Sequence, residues 1–171
     1  AEGIEQTSYR LMDGQVVANV RFNNVRVPAT NAVCAEGSAW ELINAVTQDA
    51  ILAVSAEALG IMGQLNSKTV EYTKTREQFG VKISFFQALQ HRMVETFMAY
   101  EQTKSLLYRA VCDFEADKLE KRESLLALKI MIDKAGKLIY SEAIQMHGGM
   151  GITDELDIGH YAKRLMMIGT T

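Results

Sequence analysis

The 171 residues hold one proline, Pro28, one tryptophan, and two cysteines, Cys34 and Cys112, and their formal net charge is only −3. So little proline leaves long helices uninterrupted. The two cysteines are far apart and form no CxxC, so reduced, buried thiols are expected rather than a disulfide or a metal knot. The lack of a basic excess removes the electrostatic footprint that nucleic acid or an anionic membrane would need. No run of 18 apolar residues occurs, so no membrane span is expected. Ala1–Glu5 has neither the basic nor the apolar part of a signal peptide. His91, His147 and His160 show no metal-ligand spacing, so no metal site is expected. No serine or cysteine stands in a nucleophile motif. What is present is ordinary for a globular chain: 48% hydrophobic residues, enough to build a sizeable core, against 23% charged.

Residues 9–27 read as strands. Asp13-Gly14 is a turn signal, and after it Val16, Ala18, Val20 and Phe22 alternate with Val17, Asn19 and Arg21. Asn23-Asn24 offers a second turn and Val25-Arg26-Val27 a further short strand, ended by Pro28. Two or three strands make a poor fold alone, so this stretch reads as the tail of a β domain. From Ser38 the period becomes helical. Ser38 with Glu41 three residues on makes a capping box, and a stripe runs through Ile43, Val46, Ala50, Val54, Ala58, Ile61 and Leu65 to about Lys74. A second stripe runs through Phe86, Leu89, Met93, Phe97, Tyr100, Leu107, Val111 and Phe114, with a turn expected in the charged stretch 115–122. A third runs through Leu125, Leu128, Ile132, Ala135, Ile139, Ala143 and Met146, and stops at Gly148-Gly149-Met150-Gly151. Thr153 or Asp154 would cap a fourth helix reaching about Met167, whose Lys163-Arg164 reads as a solvated face. These patterns predict an all-α, four-helix up-and-down bundle preceded by a short β remnant, with residues 1–33 as the β fragment and 34–171 as the helical domain. Most Met and aromatic residues on the stripes are read as core.

Two segments depart from this plain pattern. In Arg76-Glu77-Gln78-Phe79-Gly80, an arginine at a helix end offers a planar fork of donors suited to a diphosphate, with an apolar ring beside it. A salt-bridged arginine and a packing phenylalanine would give the same residues. In Gln145-Met146-His147-Gly148-Gly149-Met150-Gly151, adjacent glycines let a ligand or another chain lie against the peptide planes, while Gln145 supplies a neutral donor and acceptor. A glycine helix cap with a solvated glutamine is the plainer alternative. No strand precedes this run, so it is not a dinucleotide fingerprint. His147 reads as orienting the turn.

The order of the two segments, with Phe86-Gln87 and Gln90-His91 opening the helix between them, resembles the C-terminal domain of acyl-CoA dehydrogenases. The stretch Tyr72–Arg92, YTKTREQFGVKISFFQALQHR, is especially similar. The resemblance runs from about Tyr9 to Thr171, with residues 9–27 as the last strands of that family's middle β domain. It implies FAD at a subunit interface of a dimer or tetramer, either a homo-oligomer such as a homotetramer or a hetero-oligomer. Arg76 would hold the FAD diphosphate, Gln78 and Phe79 would lie beside the adenosine half, and Gln87 would support that region. Gln145, Gly148 and Gly149 would contact the ADP portion, mostly of the cofactor bound in the partner subunit. It further implies acyl-CoA as substrate, electron-transfer flavoprotein or a similar acceptor, a place in fatty acid metabolism, and bacterial cytoplasm or mitochondrial matrix as compartment. The 171 residues alone are expected to be inactive.

The family's reaction removes the α proton of the thioester to a carboxylate while the β hydrogen leaves as hydride, which requires a base within reach in a site closed to water. Many members carry that base in a Glu-Gly-Thr segment. The matching segment is Ile168-Gly169-Thr170, with Ile168 at the expected glutamate position. Another branch carries the base on the first helix at a position matching Ala50. Asp49 is adjacent, about 100° around the helix. Three alternatives stand: a noncatalytic subunit that lends flavin residues to an active partner, a base from another segment, or different chemistry at the same flavin.

Overall fold

The computed structural model describes residues 2–116 and 121–170, and the chain divides into two compact units, Ala1–Thr47 and Gln48–Thr171. In the first unit, β1 (Ile4–Arg10) pairs antiparallel with β2 (Val16–Phe22) in register from Ile4–Phe22 to Arg10–Val16. The turn forms where Asp13-Gly14 predicts it: Asp13 Oδ1 accepts from Gln15 N at 3.1 Å, and Gly14 has φ +88°. The first strand starts at Ile4 rather than near residue 9, and Val25–Val27 is not a strand. Asn24 turns the chain at φ +51°, and after Pro28 the chain enters a 3-10 turn at Ala29–Asn31. The hairpin leaves Val16, Val20 and Phe22 exposed, as two strands without a covering layer must.

Helix α1 (Ala39–Thr75) opens just after Ser38, but the Ser38 hydroxyl donates to the Ala35 carbonyl at 2.7 Å instead of making the expected capping box. By length and composition alone α1 could cross a membrane, since an 18-residue stretch reaches a mean hydropathy of 1.3. Its Ala58, Leu59, Ile61, Met62 and Leu65 are instead buried in a helical core. The predicted stripe holds only in this C-terminal half, because Ile43, Val46 and Ala50 are exposed.

The second unit is the bundle, built by the rest of α1 with α2 (Gln87–Glu115), α3 (Lys121–His147) and α4 (Ile158–Thr170). The expected turn at 115–122 includes residues 117–120, which lie outside those described. Helix α3 is the central element: every residue of its predicted stripe, Leu125 to Met146, is buried. Helix α2 differs. Phe97 is 56% exposed, and the helix turns Thr96, Thr103, Leu107, Ala110 and Asp113 inward. Buried hydroxyls are tolerated there because each is hydrogen-bonded: Thr96 donates to Met93 O and Thr103 to Ala99 O, at 2.9 and 2.7 Å. The Asp113 carboxylate accepts from Ser124 Oγ at 2.6 Å, tying α2 to α3. Helix α4 begins at Ile158, later than a cap at Thr153 or Asp154 would give. Arg164 is not merely solvated: its guanidinium grips Glu57 of α1 through two bonds of 2.6 and 2.8 Å. Arg92 and Glu142 join α2 to α3 at 2.6 Å. Both thiols are free, and Cys112 is exposed rather than buried.

Candidate cofactor site

The last turn of α1 carries Tyr72, and Arg76 follows one turn on, its backbone N–H still bonded to Tyr72 O at 2.9 Å. The chain then makes a two-residue hairpin, β3 (Glu77–Gln78) against β4 (Val81–Lys82), with Phe79 and Gly80 at its tip in left-handed conformation, φ +57° and +79°. Such a turn suits glycine, whereas at Phe79 the backbone conformation is strained. The hairpin is closed at its base by Ile83 N donating to Arg76 O at 2.9 Å. Seventy residues later α3 ends at His147, and the chain turns at Gly148, φ +58°, into a 3-10 turn over Gly148–Ile152.

These two ends meet around one cleft of about 450 Å³, which Arg76, Gln78, Gln145, Gly148 and Gly149 share. Five of the seven residues expected to hold a cofactor are thus brought together. Phe79 lies outside that lining, 92% exposed, its ring edge-on to Phe86 with centroids 6.1 Å apart. Gln87 opens α2, exposed and likewise outside the cleft. A wider hollow of about 540 Å³ runs along Glu101, Ser105, Leu106 and Arg109, but its walls come from a single helix and carry no convergent set of donors.

The donor set fits an anionic ligand. Among the described residues no ion pair occupies the exposed Arg76 guanidinium, which leaves its fork of donors for a phosphate. A Cβ at Gly149 would meet no atom within 4 Å, so the chain's own packing does not require glycine there. An approaching ligand would require it, because a side chain would stand between ligand and backbone.

Sequence reasoning assigned Tyr72 no role, although it sits one helical turn before Arg76. The Tyr72 ring stacks on His147 with centroids 4.2 Å apart and planes 28° from parallel. His147 Nδ1 lies 2.7 Å from Ala143 O, which can only accept, so Nδ1 carries the proton. Burial pushes the His147 pKa below its ordinary value, against the opposing pull of the Ala143 bond and of Asp157.

The structure also places the positions considered for a base. Ile168 is 1% exposed, packed in the bundle core. At Gly169, an added Cβ would stand 2.9 Å from Asp133 Oδ1. Asp49 is exposed on α1 beside an exposed Ala50.

Fold and site together define a helical domain that carries, at one end of its bundle, a cleft suited to a phosphate-bearing cofactor. Residues 37–170 match the family model of the acyl-CoA dehydrogenase C-terminal domain, and the chain belongs to that family. It is 29% identical over 142 residues to the short-chain specific acyl-CoA dehydrogenase of Megasphaera elsdenii, covering 83% of this chain and 37% of that protein. It is 33% identical over 115 residues to acyl-CoA dehydrogenase IpdE2 of Mycolicibacterium smegmatis, covering 67% and 35%. The solved structure of PigA with FAD and proline shares the fold at a TM-score of 0.89 and 23% identity, over 98% of this chain and 44% of that one. The chain therefore spans little more than a third of the length of these relatives. At the level of the family, the chemistry is that of oxidoreductases acting on acyl-CoA.

Proposed function

We propose that the protein takes part in FAD-dependent α,β-dehydrogenation of acyl-CoA thioesters, and that this chain supplies half of a flavin site at a subunit interface. The observation that carries the reading is the convergence of Arg76 and Gln78 with Gln145, Gly148 and Gly149 on one cleft. FAD bound there supplies a two-electron acceptor for the β hydrogen of the substrate. In this reading the Arg76 fork binds the diphosphate. Gln78 and Gln145 present neutral donors and acceptors to the ADP portion, and the Gly148-Gly149 backbone lets it approach. Phe79, held out at the hairpin tip, lies beside the adenosine half, and Gln87 supports that region. Electrons would pass on to electron-transfer flavoprotein or a similar acceptor, in bacterial cytoplasm or mitochondrial matrix, with residues 34–171 acting as the C-terminal domain of an oligomer.

The burial of Ile168 favours a second reading, a subunit that binds flavin without contributing the base. A side chain in the bundle core cannot reach a thioester α carbon, and a base must be within hydrogen-bond reach of the proton it removes. The proton would then go to a carboxylate on a partner subunit. Flavin content of the full-length protein, with and without Arg76→Ala, tests the shared part of both readings. Loss of flavin from the variant is expected, and equal flavin in both proteins would remove Arg76 from the site. Acyl-CoA-dependent reduction of an electron acceptor by the full-length protein alone, absent under the second reading, separates the two.

A further inference from the structure

The two halves of the cleft are distant in sequence, so something must fix how far apart they stand. One direct link between them is made by side chains of the cleft itself. Tyr72 stacks on the His147 ring at 4.2 Å, and its hydroxyl donates to the His147 carbonyl at 3.4 Å. Tyr72 thereby touches both the ring and the backbone of the residue that immediately precedes Gly148. At its other end Tyr72 is one helical turn from Arg76, joined through the Arg76 N–H to Tyr72 O bond. His147 is itself anchored, 4% exposed, by Nδ1–H donating to Ala143 O at 2.7 Å on the preceding turn of α3. A rigid path therefore runs from α3 through the His147 ring and the Tyr72 ring to Arg76.

We infer that Tyr72 and His147 are positioning residues for the cofactor: their stack sets the distance between the Arg76 guanidinium and the Gly148-Gly149 backbone. The inference rests on the flavin reading above and deepens it. Neither residue supplies charge to the ligand. A diphosphate gripped from two sides is bound tightly only if both sides stand at the right separation, and a misplacement of about 1 Å is enough to lose most of the benefit. The flat contact between the rings resists such a shift, because sliding them apart gives up aromatic contact on both faces.

The test is titration of FAD into the apoprotein of the full-length chain, with Tyr72→Phe, Tyr72→Leu, His147→Leu and Arg76→Ala compared by dissociation constant and Tm. Tyr72→Phe keeps the stack and loses only a long hydrogen bond, so affinity close to wild type is expected. Tyr72→Leu and His147→Leu should each weaken FAD binding about three- to tenfold, with the phenylalanine variant rescuing the leucine loss at position 72. Ile132→Val, a core change on α3 away from the cleft, should lower Tm while leaving FAD affinity unchanged, which separates positioning from general loosening. Should Tyr72→Leu fail to fold, His147→Leu attacks the stack from the other side. Wild-type affinity in both leucine variants, with flavin lost in Arg76→Ala, would overturn the positioning role and leave the flavin reading standing. Flavin retained in Arg76→Ala would overturn that reading and the inference with it.

Discussion

Lys129 on α3 caps the far end of α4: its Nζ donates to the Ile168 carbonyl at 2.5 Å and reaches the Gly169 carbonyl at 3.4 Å. The last carbonyls of a helix have no partner within it, and a lysine placed there satisfies them while complementing the negative end of the helix dipole. Burial lowers the lysine's pKa, with Asp133 acting in the opposite direction. Lys129→Met should leave those carbonyls without their charged donor and destabilise the bundle by about 1–2 kcal/mol. Urea unfolding checks this, and an unchanged midpoint would mean that water replaces the lysine at no cost.

A glutamate cannot simply be restored where the family resemblance would put one. Ile168→Glu would place a carboxylate in the bundle core, and a cost of about 3 kcal/mol or more is expected. Gly169→Glu would drive its Cβ to within 2.9 Å of the Asp133 carboxylate, adding a clash to like-charge repulsion. Neither variant should gain acyl-CoA dehydrogenase activity. A folded Ile168→Glu protein with new turnover would show that this segment can swing out to a substrate.

The buried, neutral His147 makes the bundle acid-sensitive. Its pKa is lower in the folded chain than the ordinary value of 6.5, so the unfolded chain binds the extra proton first. Stability is therefore fully present above about pH 6.5 and falls as the pH drops from there through the depressed folded value. His147→Phe keeps a ring against Tyr72 and removes the titrating group. Its stability should decline less between pH 7.5 and pH 5, measured by chemical denaturation at about each of these values.

The strained tip of the β3–β4 hairpin sets stability against binding. Phe79→Gly relieves a left-handed backbone and removes a ring that is 92% exposed. Stability should be unchanged or raised by about 1 kcal/mol or less. Flavin affinity should fall in the same variant if the ring lies beside the adenosine half. Thermal unfolding and FAD titration on one sample read both quantities, and a glycine variant that binds FAD like wild type would take Phe79 out of the site.

Arg164 and Glu57 join the two ends of the bundle's chain order, α4 to α1. The pair is bidentate, but the arginine side chain is 25% and the glutamate 43% exposed. Solvent and salt weaken such pairs, so a double-mutant cycle with Arg164→Met and Glu57→Gln should return a coupling of about 0.5–1 kcal/mol, smaller at high salt. A coupling near zero would mean that the two side chains meet without stabilising the bundle.

Part of this structure was legible in the chain because periodicity and burial coincide there. Every apolar residue of the α3 stripe is buried, since α3 packs against both α2 and α4 and has one continuous inner face. On α2 the same reasoning held in part: Leu107 is buried and Tyr100, Val111 and Phe114 pack against the core, while Phe97 is exposed. Periodicity follows large hydrophobes such as Phe97 and passes over Thr96 and Thr103, which point inward because their hydroxyls bond back to the helix and cost little to bury. The first half of α1 misled in a related way: Ile43 and Val46 recur at helical spacing but remain exposed.

The sequence by itself determined the four helices, the hairpin turn at Asp13-Gly14 and the two segments proposed for the cofactor, because local spacing and short motifs carry that information. Only the tertiary structure decided that Arg76 and Gly148-Gly149 face one cleft, that Tyr72 and His147 brace it, and that Ile168 is sealed in the core. Those facts depend on how helices distant in sequence pack, and side-chain contact across about seventy residues leaves no periodic trace in the chain.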